Sequence, residues 1–461
     1  MDKKPLEFNK GAHIHFIGIG GISMSGLAKV LLSRGYRVSG SDSAQSDLTR
    51  QLEAAGAEVF FGQRAENLAS RPDYVVYTSA IHPDNPEYAE AERQGLPLIN
   101  RADLLGALMS GFAESYAVAG THGKTTTTAL VSEILLAADK DPTISIGGIY
   151  DRISGNIRIG ASPVFVTEAC EYTDSFLSLH PKTGLILNVQ LDHIDYFADL
   201  NAVIRSFATF ASQIAPDGLL VIREGVNGFD QIVNASPAKY VTFGLNDTAD
   251  YWAKDVTYLD AAGSSFHLMK GTEDLGEFRL KVPGEHNVLN ALAALAAVWE
   301  KGLDLRTLQE ALAGFVGTRR RFEYKGQVDE VTIIDDYAHH PDEIRATLTA
   351  AKRFSYPRIW CVFQPHTYSR TKAFLTDFAD ALALADRVVL APIYPARETD
   401  NLGISSEDLG RELEKRGKEV TVCPSFTEIE NLLLTNCCPG DLLITMGAGD
   451  IVKVGESLLG A

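Results

Sequence analysis

The sequence predicts an α/β protein built from three domains in series. Its 461 residues are about three times the ~150 residues of a common domain. Three separate times, an apolar strand runs into a polar or glycine-rich turn that opens a helix. No tandem repeat or low-complexity linker intervenes, so the joints between domains are short.

The first unit begins with a buried strand at His13–Ile19, followed by Gly18-Ile19-Gly20-Gly21 and a helix over 23–33. Further strands are expected at 36–40, 74–77 and 98–100, and the unit ends near residue 110. The second opens with a strand at 116–119, the turn Gly120-Thr121-His122-Gly123-Lys124-Thr125 and a helix through Ala138. Strands follow at 164–166 and 185–187, then a β-rich stretch over 218–282, then a long helix at 288–301 stopped by Gly302. The third starts after Gly317-Thr318-Arg319-Arg320-Arg321, with strands at 331–335, 359–363, 387–391 and 442–445 and helices at 341–352 and 374–384. The predicted domains are 1–110, 111–318 and 319–461.

Composition narrows the function. Apolar residues make up 45% and charged residues 22%, which excludes disordered chains and coiled-coil rods. No window approaches 18 uninterrupted apolar residues, so no membrane span is expected. The polar N-terminus leads into a glycine turn rather than a cleavage site, which argues against a signal peptide. With 42 basic against 60 acidic residues, the chain is a poor match to a nucleic-acid backbone. Five cysteines without a CxxC pair read as reduced thiols, and the expected location is cytoplasmic.

GTHGKTTTT at 120–128 carries the most chemistry. Glycines let the backbone approach an anion, and the next helix points its free N–H groups at phosphate. Lys124 can reach the β- and γ-phosphates, and Thr125 can offer its hydroxyl to Mg²⁺. Val118 stands where the full pattern has glycine, so this is a variant P-loop. As a lysine on an exposed loop, Lys124 is expected to contribute little to folding. GIGGISMSG at 18–26 resembles a dinucleotide turn, with Asp42 at a ribose-reading distance. Ser23 replaces the third glycine, which disfavours NAD and leaves a pyrophosphate turn or a plain tight turn.

Glu168 and His193 each sit just past a strand end, where ligands bind in α/β sheets, and could both approach Mg²⁺. His286, Asn287 and Asn290 lie on the first turn of a helix, where asparagines either read an adenine edge or cap the helix. Three adjacent arginines at 319–321 cannot share one exposed face, so at least one is expected to meet an anion. His339-His340 is a poor metal pair, because adjacent side chains diverge. His366 and Arg370 again follow a strand end.

GIGGISMSG, GSD, TSAI, GTHGKTTTT, EACEYTDSFL, DHIDYF, GEHNVLNA, RRRFE, DDYAHHP, FQPHTYSRT and TMGAGD, in this order over the whole chain, resemble the Mur ligase family. The resemblance implies an ATP- and Mg²⁺-dependent amide-forming enzyme of peptidoglycan precursor synthesis. It would join L-alanine to the lactyl carboxylate of UDP-N-acetylmuramate through an acyl phosphate. The alternative within the family re-attaches a tripeptide to the same sugar. The implied architecture is a Rossmann-like UDP-sugar domain, a P-loop-type ATPase central domain and a Rossmann-like C-terminal domain. The protein would be a monomer or weak homodimer.

By the same resemblance, Gly18, Gly20, Gly21, Ser23, Asp42 and Ser79 hold the UDP-sugar. Gly120, Thr121, His122, Gly123, Lys124, Thr125, Thr126, His286, Asn287, Asn290, Arg319 and Asp336 hold ATP, and Thr125, Glu168 and His193 hold metal. Lys124, Glu168, His193 and Arg370 carry catalysis, and Tyr337, His339, His366 and Arg370 the amino acid. Cys170 and Tyr172 depart from the family's pattern, and Thr367 stands where a basic residue is usual, which leaves the roles of Glu171, Asp174 and Thr367 open. No lysine lies between His193 and Lys239, so a carbamylated lysine is not expected. An NAD-linked oxidoreductase, a P-loop switch and a sugar-binding module are the rival readings, and none of them uses all of these motifs.

Overall fold

The computed structural model describes residues 8–78, 80–259 and 263–460, and these form three sheets. The first is parallel throughout, with β1 (His13–Ile17), β2 (Arg37–Asp42), β3 (Glu58–Phe61), β4 (Tyr74–Tyr77) and β5 (Leu98–Asn100) in the order β3-β2-β1-β4-β5. Its central strand, HIHFI, is buried at every position, as a parallel strand covered on both faces must be.

The second sheet has ten strands in the order β15-β14-β13-β12-β11-β10-β6-β9-β7-β8. They are β6 (Glu114–Ala119), β7 (Thr143–Tyr150), β8 (Gly155–Arg158), β9 (Val164–Ala169), β10 (Thr183–Ile186), β11 (Leu219–Arg223), β12 (Lys239–Gly244), β13 (Tyr251–Tyr258), β14 (Ser264–Lys270) and β15 (Glu273–Leu280). The run from β13 through β12, β11, β10, β6 and β9 to β7 is parallel. An antiparallel meander, β13–β14–β15, extends one edge, and the β7–β8 hairpin closes the other. After β6 the chain builds β7, β8 and β9 on one side and then crosses to β10 on the other. The C-terminal end of β6 is therefore the point where connections diverge and a crevice opens. The helices Lys124–Ala137 and Glu285–Trp299 pack together over this sheet in one continuous apolar core.

The third sheet runs β16-β17-β21-β18-β19-β20. Its strands are β16 (Glu323–Val328), β17 (Val331–Asp336), β18 (Ile359–Phe363), β19 (Arg387–Leu390), β20 (Val420–Val422) and β21 (Leu442–Met446). All pairings are parallel except the edge pair β16–β17. The segments after β17 and β18 carry Tyr337–His340 and His366–Arg370, and they face the crevice of the second sheet. Three contacts fix that apposition. Arg370 bonds Asp192, His122 Nδ1 lies 3.2 Å from Glu343 Oε1, and the rings of His122 and His340 sit 4.7 Å apart.

Candidate active site

The turn after β6 is shaped for an anion. Gly123 caps the helix Lys124–Ala137 in the left-handed region, at φ 83°. A Cβ there would lie 2.5 Å from Asn290 Oδ1, so the position excludes every side chain. The first-turn N–H groups beyond it have no helical partner and point outward. Asn188, past the end of β10, clamps the turn from the side. Its Oδ1 accepts from the His122 N–H at 2.8 Å and its Nδ2 donates to the His122 carbonyl at 3.0 Å. The Gln190 N–H donates to Thr121 Oγ1 at 2.9 Å. Both residues lie within the NVQLDHIDYF motif, yet spacing alone gives no hint that they hold the turn.

Lys124 is not an exposed loop residue. Its ammonium donates to the carbonyls of Gly120 and Thr121 and lies 2.9 Å from a Glu171 oxygen, with only 15% of the side chain exposed. Burial alone would lower its pKa, but Glu171 outweighs that and holds the amine above its ordinary value. Burial would likewise raise Glu171, and Lys124 and His193 hold it below the usual carboxylate range. His193 Nε2 lies 3.6 Å from Glu171 Oε1. Glu171 thus joins Lys124 to His193, a placement hidden in the departure EACEYTD.

Glu168 lies next to this group on a floor made by Gly147 and Gly148 of β7. Its Oε1 accepts from the Gly147 N–H at 2.6 Å. A Cβ on Gly147 would meet Glu168 Oε2 at 2.8 Å, and one on Gly148 would meet the Thr125 methyl at 3.1 Å. The glycine pair therefore keeps open a cradle with Glu168 and Thr125 on its walls. Glu168 and Thr125 bring a carboxylate and a hydroxyl, hard-oxygen donors of the kind that suits Mg²⁺. His193 stands beside Glu171, the partner of Lys124.

A cleft between the second and third sheets is lined by His122, Gly123, Thr126, Asn188, His286, Asn287, Asn290, Arg321, Asp336 and Glu343. It gathers most of the residues that the sequence associates with ATP. Arg319 lies elsewhere: its Nε bonds Asp151 at 2.9 Å, while Arg321 lines the cleft. Arg320 bonds Asp335 at 3.0 Å, so each of the three arginines meets an acid. Burial pushes Asp336 up to about 6, against the pull of Arg321 and the Ala338 N–H. Enclosure favours the neutral acid at Glu343, yet His339, His122 and Arg321 hold it well below the usual range.

A second cleft, beside His193, brings together Tyr337, His339, His366 and Arg370 with Tyr172 and Asp192. Arg370 is buried, and its Nε and Nη2 donate to Asp192 Oδ1 at 3.1 and 3.0 Å. Its remaining nitrogen faces His366 Nδ1 at 3.3 Å. Asp192, pulled well below the carboxylate range against its burial by Arg370, is the partner that sequence reasoning missed.

Burial, assisted by Arg370, pushes His366 down to about 4 and His339 to about 3; burial also pushes His286 to about 4. Near neutrality all three imidazoles are uncharged. In the unfolded chain they titrate near 6.5, so below that pH the unfolded state takes up protons that the folded state refuses. Their contribution to stability is complete above about pH 6.5 and declines as pH falls towards 4. The thermal midpoint should drop between about pH 7.5 and 5, and His366→Gln should narrow that drop. An unchanged drop in the variant would remove His366 from the account.

In the first unit, Asp42 Oδ2 accepts from the Gly20 N–H at 2.8 Å, so this carboxylate braces the glycine turn. Gly18 adopts φ 82°, Gly21 caps the helix Ile22–Ser33, and Ser23 Oγ accepts from Arg101 at 3.1 Å. Ser79 lies outside the described residues. The turn adjoins the β7–β8 hairpin, where Asn156 Nδ2 donates to the Ile22 carbonyl at 3.2 Å.

Three sheets, a P-loop turn and a cleft closed by the third unit define a nucleotide-using enzyme whose site is assembled between domains. The chain matches the Mur ligase family catalytic domain over residues 13–113, the Mur ligase middle domain over 118–298 and the Mur ligase glutamate ligase domain over 320–449. It belongs to the Mur ligase family. It is 53% identical over 454 residues to the UDP-N-acetylmuramate–L-alanine ligase of Agathobacter rectalis, covering 98% of this chain and 99% of that one. It is 52% identical to the enzyme of that name from Lachnospira eligens, over 98% and 99% of the two chains. Among solved structures it is similar to the UDP-N-acetylmuramate–alanine ligase of Thermotoga maritima. That match has a TM-score of 0.81 and 33% identity, over 97% of this chain and 98% of the other. The murein peptide ligase of Psychrobacter arcticus aligns with a TM-score of 0.73 and 25% identity, over 98% of each chain.

Proposed function

We propose that this chain joins L-alanine to the lactyl carboxylate of UDP-N-acetylmuramate, with ATP converted to ADP and phosphate. The observation that carries the reading is the adjacency of the two clefts. His193 and Asp192 line the cleft that holds Tyr337, His339 and His366, and His193 also faces the Glu171–Lys124 pair on the phosphate turn. An amine held in the second cleft would meet an acyl group activated in the first. Full-length likeness to L-alanine ligases favours this substrate over a tripeptide. We assign residues 1–110 to the UDP-sugar, 111–318 to ATP and 319–461 to the amino acid, in a cytoplasmic monomer or weak homodimer. No helix among the described residues is long and apolar enough to cross a membrane.

In this mechanism a lactyl carboxylate oxygen attacks the γ-phosphorus and ADP leaves. The Lys124 ammonium and the N–H groups of the helix Lys124–Ala137 stabilise the charge on the transferring phosphoryl. Glu168 and Thr125 would hold Mg²⁺, which supplies charge neutralisation to the phosphates. The alanine amine then attacks the acyl carbon, and phosphate departs as the amide forms. Burial keeps the imidazoles of His339 and His366 uncharged, so they set no positive charge beside the amine, whose protons leave to the departing phosphate and to solvent. The Arg370–Asp192 contact holds the third unit over the site and excludes water from the acyl phosphate.

The deciding assay is ADP release that requires both UDP-N-acetylmuramate and L-alanine, with the coupled product identified by mass. Dependence on a tripeptide in place of alanine would overturn the reading. Glu168→Gln should raise the Mg²⁺ requirement about tenfold or more, since a charged contact is worth about 1.5–3 kcal/mol. UDP-sugar binding should hardly change. Superimposable Mg²⁺ titrations for the two proteins would leave Glu168 as a brace for Gly147 alone.

A further inference from the structure

The cleft that receives the amino acid must supply a cation for its carboxylate, and Arg370 is already engaged. Its buried guanidinium places two nitrogens on Asp192 and the third on His366. The other acids on the cleft wall are also occupied. Asp195 accepts from the Tyr172 hydroxyl at 2.7 Å, and Glu398 accepts from the backbone N–H groups of Tyr368 and Ser369. Arg397 differs from all of these. It lines the same cleft, is exposed, and has no ion-pair partner among the described residues.

We infer, on the basis of the ligase reading above, that Arg397 receives the carboxylate of the incoming amino acid and that Arg370 is a positioning residue. Three features hold Arg397 in place for that role. The Thr367 N–H donates to the Tyr394 carbonyl at 2.8 Å, and the Tyr394 N–H donates back to the Pro365 carbonyl at 2.8 Å. These bonds pin the Arg397 loop to the segment that carries His366 and Thr367. Next in sequence, Glu398 is anchored to the start of the helix Tyr368–Ala373. Arg397 then reaches across to the second unit, its guanidinium carbon 5.6 Å from the centre of the Tyr172 ring. That ring lies 4.6 Å from His193, which faces Glu171 beside Lys124. A zwitterion with its carboxylate on Arg397 would therefore have its amine directed towards the phosphate end of the cleft. A planar guanidinium also fixes the approach of a carboxylate by paired hydrogen bonds. Thr367, on the same wall, brings no charge of its own.

The test compares L-alanine with L-alaninamide, which keeps the amine and methyl group and lacks the negative charge. Steady-state ADP release is measured for the wild type, Arg397→Ala and Arg397→Lys. The wild type should prefer alanine in kcat/KM by about ten- to a hundredfold. Arg397→Ala should raise the KM for alanine by a similar factor and abolish the preference, with the KM values for ATP and UDP-sugar little changed. Arg397→Lys, which keeps the charge without the fork, should retain an intermediate preference. Because Arg397 is exposed and has no ion-pair partner among the described residues, its removal leaves no buried charge behind. An Arg397→Ala enzyme that still prefers alanine over the amide as the wild type does would overturn the assignment. So would a rise in the KM for ATP equal to that for alanine, which would mark a phosphate contact instead. A wild type with no alanine-dependent ADP release would sink the ligase reading itself, and is distinguishable from both.

Discussion

Lys124→Ala should lower turnover by about 10²–10³, the ~2.7–4 kcal/mol lost when one preorganised donor to a developing charge is removed. The ammonium sits among the carbonyls of the turn and Glu171, next to where the γ-phosphate would lie. Contrary to the expectation for a loop lysine, the variant should also be destabilised. Removing it leaves Glu171, 2% exposed, as a buried charge without its principal partner. Breaking such a pair costs about 3–5 kcal/mol unless the acid takes up a proton. The double variant Lys124→Ala/Glu171→Gln separates the two effects. It should recover much of the thermal midpoint and none of the turnover. Near-normal turnover of Lys124→Ala at saturating MgATP would refute the phosphate role.

Arg370→Ala should have the second-largest effect, and it should fall on every substrate. The pair with Asp192 is buried, and it joins the third unit to the second. Losing one partner should cost about 3–5 kcal/mol, felt mainly as loss of the closed arrangement. We expect kcat/KM for alanine and for ATP to fall together, in contrast to Arg397→Ala. A double-mutant cycle with Asp192→Ala tests the link. The two substitutions should be non-additive, with a coupling of about 1–3 kcal/mol. Additive losses, or a loss confined to alanine, would show that the bond to Asp192 does not carry the effect.

The parts of this site that could be read from the sequence are those encoded within one turn. GTHGKTTTT specifies its own geometry, because glycine conformations, lysine reach and the helix start lie within nine consecutive residues. The buried central strands are equally legible: β18 is an uninterrupted apolar run, and β1 and β21 break theirs only with two histidines and a threonine. The edge strands β3, β16 and β20 are too short or too polar to stand out as strands. Residues 218–282 could be read only as β-rich, because their register depends on partners in other strands. Contacts made by docking were invisible for a related reason. Asp192 meets Arg370 across 178 residues and His122 meets Glu343 across the cleft, and no local spacing records either pair. Arg321 could not be told from Arg319 by type or position, since only the fold decides which of them turns into the cleft.

The hairpin of β7 and β8 links all three units. Gly147 and Gly148 floor the cradle beside Glu168 and Thr125, and the Ile149 carbonyl accepts the Arg319 N–H of the third unit at 3.0 Å. On the returning strand, Asn156 bonds Ile22, and a Cβ on Gly26 would come within 2.9 Å of Ile157. A shift in the seating of either outer unit therefore bears on the same hairpin, whose strand β7 carries Gly147 and Gly148. The arrangement is a mechanical linkage. Displacing either outer unit loads the one hairpin that carries Gly147 and Gly148, so the three units keep their relative seating through backbone already in place.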